Sequence, residues 1–117
     1  MSKLPSGIYK ITNLKNGKVY IGQSENIFIR RKQHFSALDY GHHDNKQMQS
    51  DYSKQRGRGF HWEVVEYCSI DKLNEREKYW IDFYHAVESG YNKGWVPYKR
   101  KKTTQKRKTG YGRYGRS

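Results

Sequence analysis

Between Gly7 and Asn13 apolar and polar side chains alternate, and they alternate again from Lys18 to Gln23, where Val19 and Ile21 add β-branched positions. Asn16-Gly17, between the two runs, tolerates positive φ at both positions, so the pattern predicts an antiparallel hairpin. With a loop of two or four residues, paired positions sum to an odd number. Residues 9, 11, 20 and 22 then share one face and 8, 10, 19 and 21 the other. Tyr9 and Tyr20 are expected to project the same way; a three-residue loop would separate them.

Ser24 is expected to cap a first helix, with Glu25 in its opening turn. Ile27, Phe28, Phe35 and Leu38 recur near helical spacing as far as about Tyr40, and Gly41 ends the run. Arg30 and His34, four apart, are neighbours on one face. A second helix from about Asp44 to Gln55 turns Met48 and Tyr52 inward and is broken by Gly57 and Gly59. Phe60 to Cys68 reads as a third strand, with Phe60, Trp62 and Val64 on one side and Val65 and Tyr67 on the other. A third helix runs from near Asp71 to about Val87. Its apolar stripe of Leu73, Trp80, Ile81 and Tyr84 is interrupted by Glu77. A carboxylate on the packed side of a helix is costly unless it meets a cation, a metal or hydrogen-bond donors. A salt bridge to Arg30 or Arg31 and a metal site are both open at this point.

The 117 residues suffice for one domain. There is no long apolar run and no apolar leader after Met1, so no transmembrane span or secretory signal is expected, and the expected location is cytoplasmic. One cysteine, Cys68, excludes an internal disulfide and a four-cysteine zinc site. The net charge is +13, and it is uneven: residues 96–117 carry nine basic side chains and no acid. The expected division is a folded unit over 5–95 and a basic, flexible tail over 96–117. Lys99, Arg100, Lys101, Lys102, Lys106, Arg107, Lys108, Arg113 and Arg116 are its candidate nucleic-acid contacts. The rings interleaved with arginine at Tyr111 and Tyr114 suit stacking on bases. The alternative is a tail that only solubilises.

Gly7-Ile8-Tyr9 and Tyr20-Ile21-Gly22, followed in order by Arg30, His34, His43, Glu77 and Asn92, resemble the GIY-YIG nuclease family, most closely the nuclease domains of phage homing endonucleases. The resemblance implies an α+β fold, a small three-stranded antiparallel sheet in the order β-β-α-α-β-α flanked by helices, carrying the basic C-terminal tail. It implies hydrolysis of DNA phosphodiester bonds, by nicking or double-strand cleavage, assisted by one divalent metal. Glu77 would hold a hard cation, Mg²⁺ with Mn²⁺ as substitute, through few protein oxygens and several waters. Arg30 would meet phosphate oxygens with its planar fork. Of Tyr9 and Tyr20 one would take a proton from water and the other orient water or phosphate, with Tyr9 favoured as base. Arg30 and the cation are expected to lower the phenol pKa for that task. His34 would relay the proton or contact phosphate; without the resemblance it reads as part of a solvated helix face. His43 shares its assignment with His42, and Asn92 would fasten the C-terminal loop.

The partner is then DNA and not a membrane, with a monomer as default and dimerisation on DNA as the alternative. A different class remains open: a basic module that binds nucleic acid without cutting it, or a nuclease for RNA or branched DNA. Charge does not separate these. The position of Glu77 does, because a pure phosphate binder gains nothing from a carboxylate on the face that meets phosphates.

Overall fold

A computed structural model describes residues 5–99. The tail residues Arg100, Lys101, Lys102, Lys106, Arg107, Lys108, Arg113 and Arg116 lie outside the described residues; Lys99 is exposed. The elements follow the predicted order: β1 (Gly7–Asn13), β2 (Val19–Ser24), α1 (Ile27–Tyr40), α2 (Lys46–Lys54), β3 (Phe60–Tyr67), a 3₁₀ turn (Ile70–Lys72) and α3 (Leu73–Phe83). The strands form one antiparallel sheet in the order β2-β1-β3. In the hairpin Tyr9 pairs with Gly22 and Ile11 with Tyr20, so the odd-sum register holds and the two tyrosines share a face.

The sheet divides the core in two. On one face Ile8, Val19 and Ile21 pack with Leu73 and Ile81 of α3. On the other, Tyr9 and Ile11 pack with Leu38 of α1, Met48 of α2 and Tyr91, flanked by Tyr20, Phe35 and Trp62. No helix among the described residues is long and apolar enough to cross a membrane.

Four local expectations are corrected. The cap of α1 is Asn26, whose side chain accepts from the N–H groups of Phe28 and Ile29; Ser24 Oγ instead accepts from Asn26 N–H at 2.9 Å. The helix therefore starts after Glu25, which is exposed. Its buried line is Ile27, His34 and Leu38, and Phe28, a quarter-turn off that line, is exposed. The last helix stops at Phe83, and a left-handed His85 (φ 53°) turns the chain back, so Val87 lies beyond it. Finally, Ile8 pairs with Glu66 but Tyr9 with Val64, leaving Val65 as an extra residue in β3. The bulge places Tyr67 opposite Gly7, on the face away from Val65. It also turns Glu66 toward α3, where Arg76 Nε (2.8 Å) and Trp80 Nε1 (2.9 Å) donate to it.

Candidate active site

Tyr9 is the centre of the site. Its ring is fully buried on the α1 face of the sheet, stacked on Trp62 with centroids 4.5 Å apart, and 6.4 Å from the ring of Tyr20. The ring crosses β2 at Gly22. A Cβ added there would lie 2.9 Å from Tyr9 Cε1 and closer still to Cζ and Oη, so only glycine leaves room for the phenol. Gly7 is needed for a related reason: a Cβ would press on the Glu66 carbonyl and come within 3.0 Å of Tyr67 Cα at the bulge. Both motif glycines are thus steric requirements of the motif tyrosine and of the strand that flanks it.

His34 projects from α1 onto the same group. Its Nε2 lies 2.6 Å from Tyr9 Oη, and its Nδ1 lies 2.7 Å from Nε2 of His43. His43 is held in the loop before α2 by its own N–H, which donates to Gln49 Oε1 (3.0 Å), and by Asn45 N–H, which donates to His43 Nδ1 (3.0 Å). His42 is exposed, so of the two candidates His43 is the one brought to the site. His34 is only 2% exposed and both its ring nitrogens are engaged inside the protein, which leaves no phosphate contact for it and removes the solvated-face reading.

The electrostatics run against one expectation. Arg30 donates a hydrogen bond to Tyr9 and its charge favours the phenolate, but burial outweighs it and raises the Tyr9 phenol well above its ordinary value. Burial likewise pushes Tyr20 up to about 12 despite Arg30. Burial, with Arg30 adding to it, holds the His34 imidazole well below its ordinary pKa and lowers His43 to about 4. At neutral pH the four rings are therefore two phenols and two neutral imidazoles.

Glu77 reaches the site from the α3 side of the sheet, by the end of β2. Its Oε1 accepts from Gln23 Nε2 (2.8 Å) and from the indole N–H of Trp95 (3.1 Å), and its charge acts on both Tyr9 and Tyr20. Gln23 also donates to Asn74 Oδ1 at 2.8 Å, which ties the strand to α3. Asn92 accepts from Ile21 N–H (2.8 Å) and donates to the Ile21 carbonyl (2.9 Å), replacing a neighbouring strand at the edge of β2. Its amide is spent on the backbone. Gln23, Asn45 and Trp95 carry no signal in the sequence that singles them out, because their roles come from contacts between distant segments.

Among the described residues no three of His, Cys, Asp and Glu cluster as a chelating set. A single carboxylate beside amide groups suits a hard divalent cation that keeps most of its waters, and does not suit zinc.

Comparison with known proteins agrees with this architecture. Residues 5–92 match the family described as "GIY-YIG catalytic domain". The chain is 35% identical over 91 residues to intron-associated endonuclease 1 of Enterobacteria phage T4, covering 76% of this chain and 37% of that protein's length. The catalytic domain of intron endonuclease I-TevI, solved as a glutamate-to-alanine mutant, superposes with a TM-score of 0.71 at 32% identity, over 80% of this chain and 98% of that one. A second structure, of the catalytic domain of homing endonuclease I-TevI, gives 0.68 at 35% identity, over 74% and 96%. With the two motif triplets side by side on β1 and β2 and the match spanning both faces of the sheet, the chain belongs to the GIY-YIG family.

Proposed function

We propose that this chain is a DNA endonuclease domain that hydrolyses phosphodiester bonds with the help of one divalent cation held by Glu77. The observation that carries the reading is the convergence of Tyr9, Tyr20, Arg30 and His34 on one face of the hairpin, within the field of Glu77. The names of its relatives, endonucleases of intron and homing type, support the same chemistry. When bound, Mg²⁺ would supply positive charge to the phosphoryl oxygens and acidify a water. Glu77 would hold it, and Gln23 and Trp95 orient that carboxylate by donating to its Oε1.

The remaining roles belong to the chain itself. Arg30 orients non-bridging phosphate oxygens. Tyr9, a neutral phenol at rest, reacts through its minor phenolate form, which is in protonic equilibrium with the bulk and stabilised by Arg30, and which accepts the proton of the attacking water. Tyr20 orients that water or the phosphate. Asn92 keeps the loop after α3 against β2 so that Tyr20 and Gly22 stay in register. The basic side chains of 96–117 add sequence-independent attraction to the backbone.

Supercoiled plasmid incubated with the protein, with and without Mg²⁺, tests the proposal. Nicked or linear product in Mg²⁺ is expected. Glu77→Ala is expected to lose cleavage by at least about 10²-fold while binding DNA in low salt as well as before or better, since it removes a negative charge. Wild-type cleavage by that variant overturns the metal assignment. Binding without cleavage by the unaltered protein turns the reading to a non-catalytic module.

A further inference from the structure

The histidine pair behind Tyr9 has a direction. Asn45 stands at its far end and pins the loop through both its side chain and its backbone. Its Oδ1 accepts from Met48 N–H (3.0 Å) at the start of α2, its Nδ2 donates to the Tyr91 carbonyl (2.7 Å), and its backbone N–H donates to His43 Nδ1 (3.0 Å). A backbone N–H can only donate, so His43 Nδ1 is bare and the proton of the neutral ring is on Nε2. That proton faces His34 Nδ1 at 2.7 Å, which must accept it; the His34 proton is then on Nε2 and faces Tyr9 Oη at 2.6 Å. The opposite order, with Tyr9 donating to His34, requires a proton on His43 Nδ1, and two donors would confront each other at Asn45. An imidazolium at His43 meets the same obstacle. Of the charged groups acting on His43, Arg30 opposes a second proton and only Asp44 favours one.

We propose that Asn45 is a positioning residue whose backbone N–H sets the tautomers of both histidines, making His34 a fixed hydrogen-bond donor to Tyr9 Oη, so that the phenol's own proton points away from His34. The consequence for catalysis rests on the reading of Tyr9 as a reacting group; the tautomers do not. The histidines are then not a path by which Tyr9 loses its proton. They hold the oxygen as a phenolate once that proton has left.

Long-range ¹H–¹⁵N correlation of the imidazole rings in the labelled 117-residue chain near neutral pH reads the tautomers directly. Protonated Nε2 and bare Nδ1 are expected in both His34 and His43; a protonated Nδ1 in either overturns the proposal. Asn45→Ala keeps the N–H and is expected to keep the pattern. Asn45→Pro removes the N–H at a φ of −82° that proline tolerates, and is expected to give mixed tautomers. Identical spectra for the two variants overturn the role of Asn45. If the proline variant fails to fold, His43→Gln and His43→Leu replace it. A glutamine amide still donates to His34 Nδ1 and is expected to keep the Nε2–H form and activity within about tenfold, while leucine loses both, with about 10²-fold less cleavage. Equal His34 tautomers in those two variants overturn the proposal. If the tautomers are as expected but Tyr9→Phe cleaves normally, the function reading fails and the tautomer lock stands.

Discussion

Gly22→Ala is the smallest change that tests how the motif works. The new methyl carbon would sit 2.9 Å from Tyr9 Cε1 and nearer to Cζ and Oη, where carbon contacts ordinarily begin near about 3.5 Å. The ring cannot swing away freely, because it is fully buried and stacked on Trp62 at 4.5 Å. Either the phenol or β2 must therefore shift by on the order of 1 Å, and overpacking of this kind costs roughly 1–3 kcal/mol. For a domain of this size the melting temperature is expected to fall by roughly 5–20 °C. The same shift strains the 2.6 Å contact between Tyr9 Oη and His34 Nε2, so cleavage is expected to drop by about 10²-fold even well below the new melting temperature. Thermal denaturation followed by circular dichroism, with plasmid cleavage in the cold, reads both. A variant with wild-type stability and wild-type cleavage would refute the claim that Gly22 exists to make room for Tyr9.

Acid tests the buried imidazoles. Their folded pKa values lie below the unfolded 6.5, so the unfolded chain binds more protons and stability is lost as pH falls from 6.5 toward about 4. Urea midpoints are expected to fall by the equivalent of roughly 1–3 kcal/mol between pH 7 and pH 5; an unchanged midpoint contradicts the burial. Because burial raises the Tyr9 phenol, its phenolate is a minor form at neutral pH, and single-turnover cleavage is expected to rise about tenfold per pH unit from pH 7 to 8.5. A flat profile removes Tyr9 as base. Truncation after Tyr98 removes Lys99 and the eight basic residues beyond it, so the slope of log affinity against log salt should flatten by up to about 0.9 for each phosphate that is no longer neutralised. An identical slope would show that the tail does not touch DNA.

Periodicity and turn chemistry were enough to place β1, β2, α1, α2, β3 and α3 in order, since each has its own apolar repeat. They also placed Tyr9 and Tyr20 on one face, because hairpin register follows from loop length alone. Glu77 stood out as a misplaced charge for the same local reason. What depended on tertiary structure was everything that needs two distant segments at once. The bulge at Val65 follows from how β3 meets β1, and it reversed Tyr67 and turned Glu66 to α3. The choice of His43 over His42, the donors behind Glu77, and the Asn45 anchor are contacts across 9 to 54 residues or a loop closed by α2. Above all, the sign of the tyrosine pKa shifts belonged to packing. Arg30 is visible in the chain and favours phenolate, but desolvation grows with every neighbour that excludes water, and that sum exists only once both faces of the sheet are covered.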